Sequence, residues 1–211
     1  MKSLLTCFIV LAAISVNGQI VRRPLTNKYT LNIPELTCLK TTEDQQDEPY
    51  LILIYQYSNG VADVIRVPEK HWDMYSKGPS STVVANNLLN ITLNKSESID
   101  IIFLVMEEDD YSPAMEIGRD ILAHLKAGER ALIGVQSDDI KRAIDKRSIS
   151  FLNTDDWIGS FTLRVKEGGY TSSFRQINNP NGTSAVTTDQ APYKFILTGD
   201  GSRYEGYVNV K

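Results

Sequence analysis

Apolar residues recur with a period of two over most of the chain, which predicts β-strands. Leu31, Ile33, Leu36 and Cys38 mark a first strand, with a break expected at Pro34. Leu51–Tyr57 is apolar on both faces and reads as a central strand. Asn59-Gly60 is a strong hairpin signal, and Val61–Val67 supplies the return strand. Pro68–Pro79 reads as a loop holding His71, Trp72, Met74 and Tyr75. Thr82–Ala85 and Leu88–Leu93 predict two short strands, and Ile99–Met106 a second strand apolar on both faces.

The pattern then changes period. Ser112-Pro113 has the form of an N-cap followed by proline at the first helical position. Ile117, Ile121, Leu122 and Leu125 follow at helical spacing, and Gly128 closes the segment. Ser137–Arg147 predicts a second helix with Ser137 as cap. Asp138 and Asp139 suit its N-terminus, and Lys146 and Arg147 its C-terminus. Alternation resumes at Phe161, Leu163 and Val165. Ser160, Thr162, Arg164 and Lys166 fall on the other face, which predicts a wet face. Gly168-Gly169 turns into Tyr170–Ile177, and Asn178–Gly182 reads as a turn-rich loop. Tyr193–Thr198 and Tyr204–Val210 form a closing hairpin. The fold class expected is mainly β: an antiparallel β-sandwich with a two-helix insertion at about 111–152.

The N-terminus reads as a secretory signal peptide over residues 1–18. Lys2 is a short basic region, Leu4–Ile14 is apolar, and Val16 and Gly18 suit a cleavage site after Gly18. The run is shorter than the roughly 20 apolar residues a spanning helix needs, and no transmembrane segment is expected. Residues 19–28 read as an N-terminal tail and 29–211 as a single sandwich domain. The expected location is secreted and extracellular. Removing the signal takes Cys7 with it and leaves Cys38, whose strand-like context predicts a buried thiol. Asn90, Asn94 and Asn181 each head a glycosylation sequon. The net charge of -4 argues against a nucleic-acid partner.

Three acidic clusters adjoin ends of the apolar strands. Glu43, Asp44, Asp47 and Glu48 precede Tyr50–Tyr57. Glu107, Glu108, Asp109 and Asp110 follow Ile99–Met106. Asp155 and Asp156 precede Trp157–Val165. Calcium takes about six to eight oxygen ligands, several of them carboxylate, and sandwich loops can supply these from distant segments. Like charges brought together repel, by about 4 kcal/mol for a pair ~4 Å apart at an effective dielectric near 20. Converging clusters would therefore need a cation. The bland reading is solvated loop charge that marks turns. No EF-hand loop is present.

Several short motifs resemble those of secreted C2-like β-sandwich domains. They are Leu36–Asp44 followed by Asp47-Glu48-Pro49-Tyr50-Leu51, then Asp73–Gly78, then Val105–Asp109. Asp155-Asp156-Trp157-Ile158-Gly159 and Gly199–Glu205 complete the set. The resemblance implies a calcium site at one loop end, carried by Asp47, Glu48, Glu107, Asp109, Asp155 and Asp156. In this chain the helical insertion separates two acidic motifs that C2-like domains usually keep close in sequence.

Enzymatic chemistry has little to stand on. Only two histidines exist, His71 and His124, and no His/Cys cluster has zinc spacing. No Gly-x-Ser-x-Gly elbow is present. Trp72, Tyr75, Trp157, Tyr170 and Tyr204 suit core or rim packing more than ligand contact. The expectation is a secreted, non-enzymatic, calcium-binding module that engages an anionic lipid, glycan or protein. The alternative is a metal-free structural or interaction protein, with a hydrolase behind it. The sequence is silent on oligomeric state.

Overall fold

The computed structural model describes residues 26–41, 46–76, 81–108, 113–128, 130–147, 156–168, 171–177, 179–180, 182, 184–186, 191–199 and 201–211. The expected signal peptide, residues 19–25 of the expected tail, Glu43, Asp44, Asp109, Asp110, Asp155, Tyr170 and Asn181 lie outside these.

The strands are β1 (Asn27–Lys40), β2 (Gln46–Asp47), β3 (Pro49–Tyr57), β4 (Ala62–Val67), β5 (Met74–Tyr75), β6 (Thr82–Leu93), β7 (Ser98–Glu107), β8 (Asp156–Lys166), β9 (Thr171–Ile177), β10 (Ser184–Val186), β11 (Tyr193–Gly199) and β12 (Ser202–Val210). Helices α1 (Ala114–Ala127) and α2 (Ser137–Arg147) fall between β7 and β8, with a 3-10 turn at Leu132–Gly134. One five-stranded sheet runs β10-β11-β12-β1-β6, and a second runs β4-β3-β7-β8-β9. Strand pairing is antiparallel throughout both sheets. The chain is thus mainly β, consistent with a sandwich carrying a two-helix insertion.

Two cores explain the sequence pattern. Leu31, Ile33, Leu36 and Cys38 of the first sheet meet Leu51, Leu53, Phe103, Val105, Phe161 and Leu163 of the second between the sheets. Phe161 stacks on Phe103 with ring centroids 4.4 Å apart and meets Phe195 of the opposing sheet at 4.8 Å. The other face of the second sheet packs Tyr50, Ile52, Ile54, Ile102, Leu104 and Met106 against Ile117, Ile121, Leu125 and Ile140 of the helices. β3 and β7 are therefore apolar on both faces because both faces are covered. Gly118 lets α1 sit close to the sheet, since a Cβ there would collide with the Val64 side chain.

Five local expectations are corrected. Pro34 does not break the first strand. Pairing continues past it on both sides with register shifts, so a bulge absorbs the missing N–H. Asn27 and Lys28 belong to β1 rather than to a tail. Thr82–Leu93 is one strand rather than two. Asn87 turns to φ 57° within it, and its N–H donates to Asn32 Oδ1 at 2.9 Å. Ser137 does not cap α2, because its buried hydroxyl has no partner among the described residues. Asp139 does the work instead, its carboxylate accepting the Gln136 N–H at 2.9 Å. Finally, the face of β8 expected to be wet is buried at Ser160 and Thr162. The 3-10 turn covers it, held by Arg175 donating to Ile133 O at 2.9 Å and to Val135 O. The two hydroxyls donate to Ile177 O and Arg175 O across the β8–β9 pair.

Candidate functional site

The three acidic segments meet at one end of the second sheet. Pro49 pairs with Glu107, and Glu107 pairs with Asp156, while Glu108 N donates to Glu48 O at 3.0 Å. Strand alternation then sends neighbouring carboxylates to opposite sides.

Asp47 points inward. It is 1% exposed, and its Oδ2 accepts the Ser202 hydroxyl at 2.5 Å and the Tyr204 hydroxyl at 2.6 Å. Both donors come from β12 of the first sheet, whereas Asp47 lies in β2, which pairs with β5 as a separate two-stranded sheet, so the carboxylate ties that ribbon to the first sheet. Cys38 sits across from Tyr204 in the β1–β12 ladder. Burial first, and the Asp47 charge second, push its thiol up to about 11. The same two causes drive the Tyr204 phenol far above its ordinary value. Cys38 is a free, buried thiol, as its strand context predicted, and it stays protonated at neutral pH.

Glu48 points the other way, toward the loop that follows β4. That loop is fixed by apolar anchors. Trp72 packs on the inter-sheet core and its N–H donates to Pro49 O at 2.9 Å, while Met74 is fully buried and pairs with Asp47. With Trp72 and Met74 packed on the core, His71, Asp73 and Tyr75 fall at the alternate positions. Their side chains are from a third to two-thirds exposed. The result is a cluster: Glu48, His71 and Asp73 each offer a ligand atom, and these atoms lie within 4.8 Å of one another. His71 Nε2 is 3.5 Å from Asp73 Oδ1. Gln46 Nε2 bridges Glu48 and Asp73 at 3.3 and 3.2 Å, and is itself held by Tyr75, whose hydroxyl donates to Gln46 Oε1.

Glu108 backs this cluster. Its Oε2 lies 2.7 Å from His71 Nδ1 and 2.6 Å from Arg66 Nη2, and the Arg66 guanidinium lies over the Tyr50 ring at 4.0 Å. Burial opposes ionisation of Glu108, but the hydrogen bonds and charges of Arg66 and His71 outweigh it and hold the carboxyl below the usual range. In the neutral ring a carboxylate on Nδ1 selects the tautomer with the proton there, and Nε2 is the nitrogen on the Asp73 side. Metal-ligating histidines carry this same outer-shell arrangement.

Of the residues singled out for calcium, Glu48 belongs to this cluster. Asp47 is engaged by two hydroxyls inside the sandwich. Glu107 is buried, at 3% exposure, and Asp156 beside it is half-buried. Asp109 and Asp155 lie outside the described residues. Sequence reasoning missed His71 and Asp73 as ligands. The signal was the alternation His71-Trp72-Asp73-Met74-Tyr75, in which two large apolar residues fix the polar ones on the opposite side.

The glycosylation sequons differ in setting. Asn90 is exposed on β6, an edge strand. The amide nitrogen of Asn94, where a glycan would attach, donates to Glu97 Oε2 at 2.9 Å. Asn181 lies outside the described residues. No described helix is long and apolar enough to cross a membrane. Compared with known proteins, the chain matches no family model and no curated sequence.

Proposed function

We propose that this protein is a secreted, non-enzymatic binding module whose sheet end takes up a divalent cation at Glu48, His71 and Asp73. The observation that carries the reading is the convergence of those three ligand atoms within 4.8 Å, with Glu108 orienting the imidazole. A cation there would relieve the repulsion between Glu48 and Asp73 and leave coordination positions open toward solvent. An anionic lipid headgroup, glycan or protein carboxylate could occupy those positions, which fits the C2-like loop motifs. Calcium is the ion that the carboxylate-rich loops and that resemblance favour. The imidazole adds a nitrogen donor that suits zinc better, while the carboxylates also suit manganese.

Calorimetric titration with calcium, zinc and manganese, paired with melting curves against chelator, tests this. At ten times the dissociation constant the bound ion stabilises by about 1.4 kcal/mol. For a chain of this size that raises the melting temperature by about 3–5 °C. If none of the three ions gives heat or a melting shift up to several millimolar, the cation reading fails.

A further inference from the structure

A second, oppositely charged site lies at the far end of the same sheet. β3 starts beside Glu48 and is nine residues long. At ~3.3 Å per residue its other end is about 30 Å away. There a cavity of about 380 Å³ opens between the strand ends and the C-terminus of α1. Among its lining residues are Gln56, Ser58, Asp100, Lys126, Arg130 and Arg164.

The electrostatics of this cavity run against the chain's net charge of -4. Arg164 donates Nε and Nη2 to the two oxygens of Asp100 at 2.5 and 2.7 Å. Arg130 donates Nη1 and Nη2 to the two oxygens of Asp139 at 3.0 and 2.8 Å. Each pair holds its guanidinium rigid. The carboxylates are the hidden members of the pairs. Asp100 and Asp139 side chains are 10% and 6% exposed, against 31% and 37% for Arg164 and Arg130. At the cavity wall Lys126, Arg130 and Arg164 therefore stand against one carboxylate, that of Asp100, which is already engaged by Arg164. Arg164 Nη1 and Arg130 Nε make no hydrogen bond among the described residues, and Lys126 has no ion-pair partner among them. Ser58 Oγ accepts the Ser98 N–H at 3.1 Å and keeps its own O–H.

We propose that this cavity binds a small oxyanion, a phosphate monoester or carboxylate carried on a molecule of monosaccharide size. Lys126 supplies the mobile charge, the locked guanidiniums supply fixed donors, and Ser58 and Gln56 take hydroxyls. The volume admits a sugar ring and not a long polymer.

The test uses the isotopically labelled full chain, titrated with inorganic phosphate, a hexose 6-phosphate, a hexuronate and a neutral hexose, followed by amide shifts. Saturable shifts at Ser58, Gly60 and Ser98 with the anions, and none with the neutral hexose, are expected. Lys126→Glu, a change at an exposed position, should weaken binding about tenfold or more, and Lys126→Arg should retain it. Inorganic phosphate binding as tightly as the hexose phosphate would assign recognition to the oxyanion itself and still support the site. The proposal is overturned if no anion gives saturable shifts at those amides. It is equally overturned if the Lys126→Glu protein, with an unchanged amide spectrum when free, binds as well as wild type.

Discussion

Asp47 and Glu48 are adjacent in the chain and carry the same charge, yet they occupy opposite chemical worlds. Asp47 lies between the sheets, with both Ser202 and Tyr204 hydroxyls on one oxygen and Cys38 nearby. Glu48 lies on the outer side among His71, Asp73 and Gln46, where the groups around it are partly solvated. The difference teaches that an acidic cluster is not one object. The backbone between β2 and β3 divides it, and the inward half is consumed by packing while the outward half stays partly solvated.

The sharpest way to break this contrast is Asp47→Ala. It removes two hydrogen bonds to a charged acceptor and strands two hydroxyls inside the sandwich. Urea denaturation should show a loss of about 3 kcal/mol. The cation response of the protein that remains folded should be unchanged. A comparable loss of cation binding would erase the division between the two halves.

Glu48→Ala and His71→Ala are the mirror experiment. Each should abolish the cation-induced rise in melting temperature, with stability in chelator altered by only about 0.5 kcal/mol. If either unfolds the protein as Asp47→Ala does, the outer half is structural as well.

The two halves also separate along the pH axis. Glu108, with its carboxyl held down by Arg66 and His71, contributes stability that is fully present above the ordinary glutamate value of about 4.3. That contribution disappears as pH falls through the lower folded value. Acid unfolding of Arg66→Met should accordingly begin at higher pH than in wild type. Cys38 works in the opposite direction. Its thiol is raised from 9.0 to about 11, so its contribution is present below pH 9 and is lost as pH rises toward 11. Thiolate absorbance should place its titration there, and Asp47→Asn should move it down.

The smallest expected effect is at Asn94. Its amide donates to Glu97 Oε2, and Asn94→Gln should cost about 0.5–1 kcal/mol in unglycosylated protein by loosening the β6–β7 turn. Asn90→Gln, at an exposed edge position, should cost less.

Where the sequence was readable, one physical cue sufficed. Leu51–Tyr57 and Ile99–Met106 are apolar on both faces, and both proved doubly covered. The stripe Ile117, Ile121, Leu122 and Leu125 fixed the orientation of α1. The misread positions depend on partners distant in sequence. Ser160 and Thr162 look solvated until the turn Leu132–Gly134 and Arg175 are known to close over them. For the candidate site, the strand ends bearing Glu48, Glu107 and Asp156 were legible from charge placement, and their backbone convergence is real. The sequence could not decide which carboxylate faces inward. It also gave no pairing of His71 with Glu108, because that depends on how the loop after β4 folds back over Pro49.

The pairing of β1 with β12 has a consequence for how the molecule is made. Cys38 finds its cross-strand neighbour in Tyr204, and β1 lies between β12 and β6. The second sheet and its helices draw only on the chain from Pro49 to Ile177. A ribosome therefore releases every strand of that sheet before β12 exists. Until it does, β1 holds only β6, and the apolar row of Leu36 and Cys38 stands open along one side. Throughout that interval β1 keeps an unpaired edge, the condition under which partly folded chains aggregate. Loss of β12 would make that interval permanent.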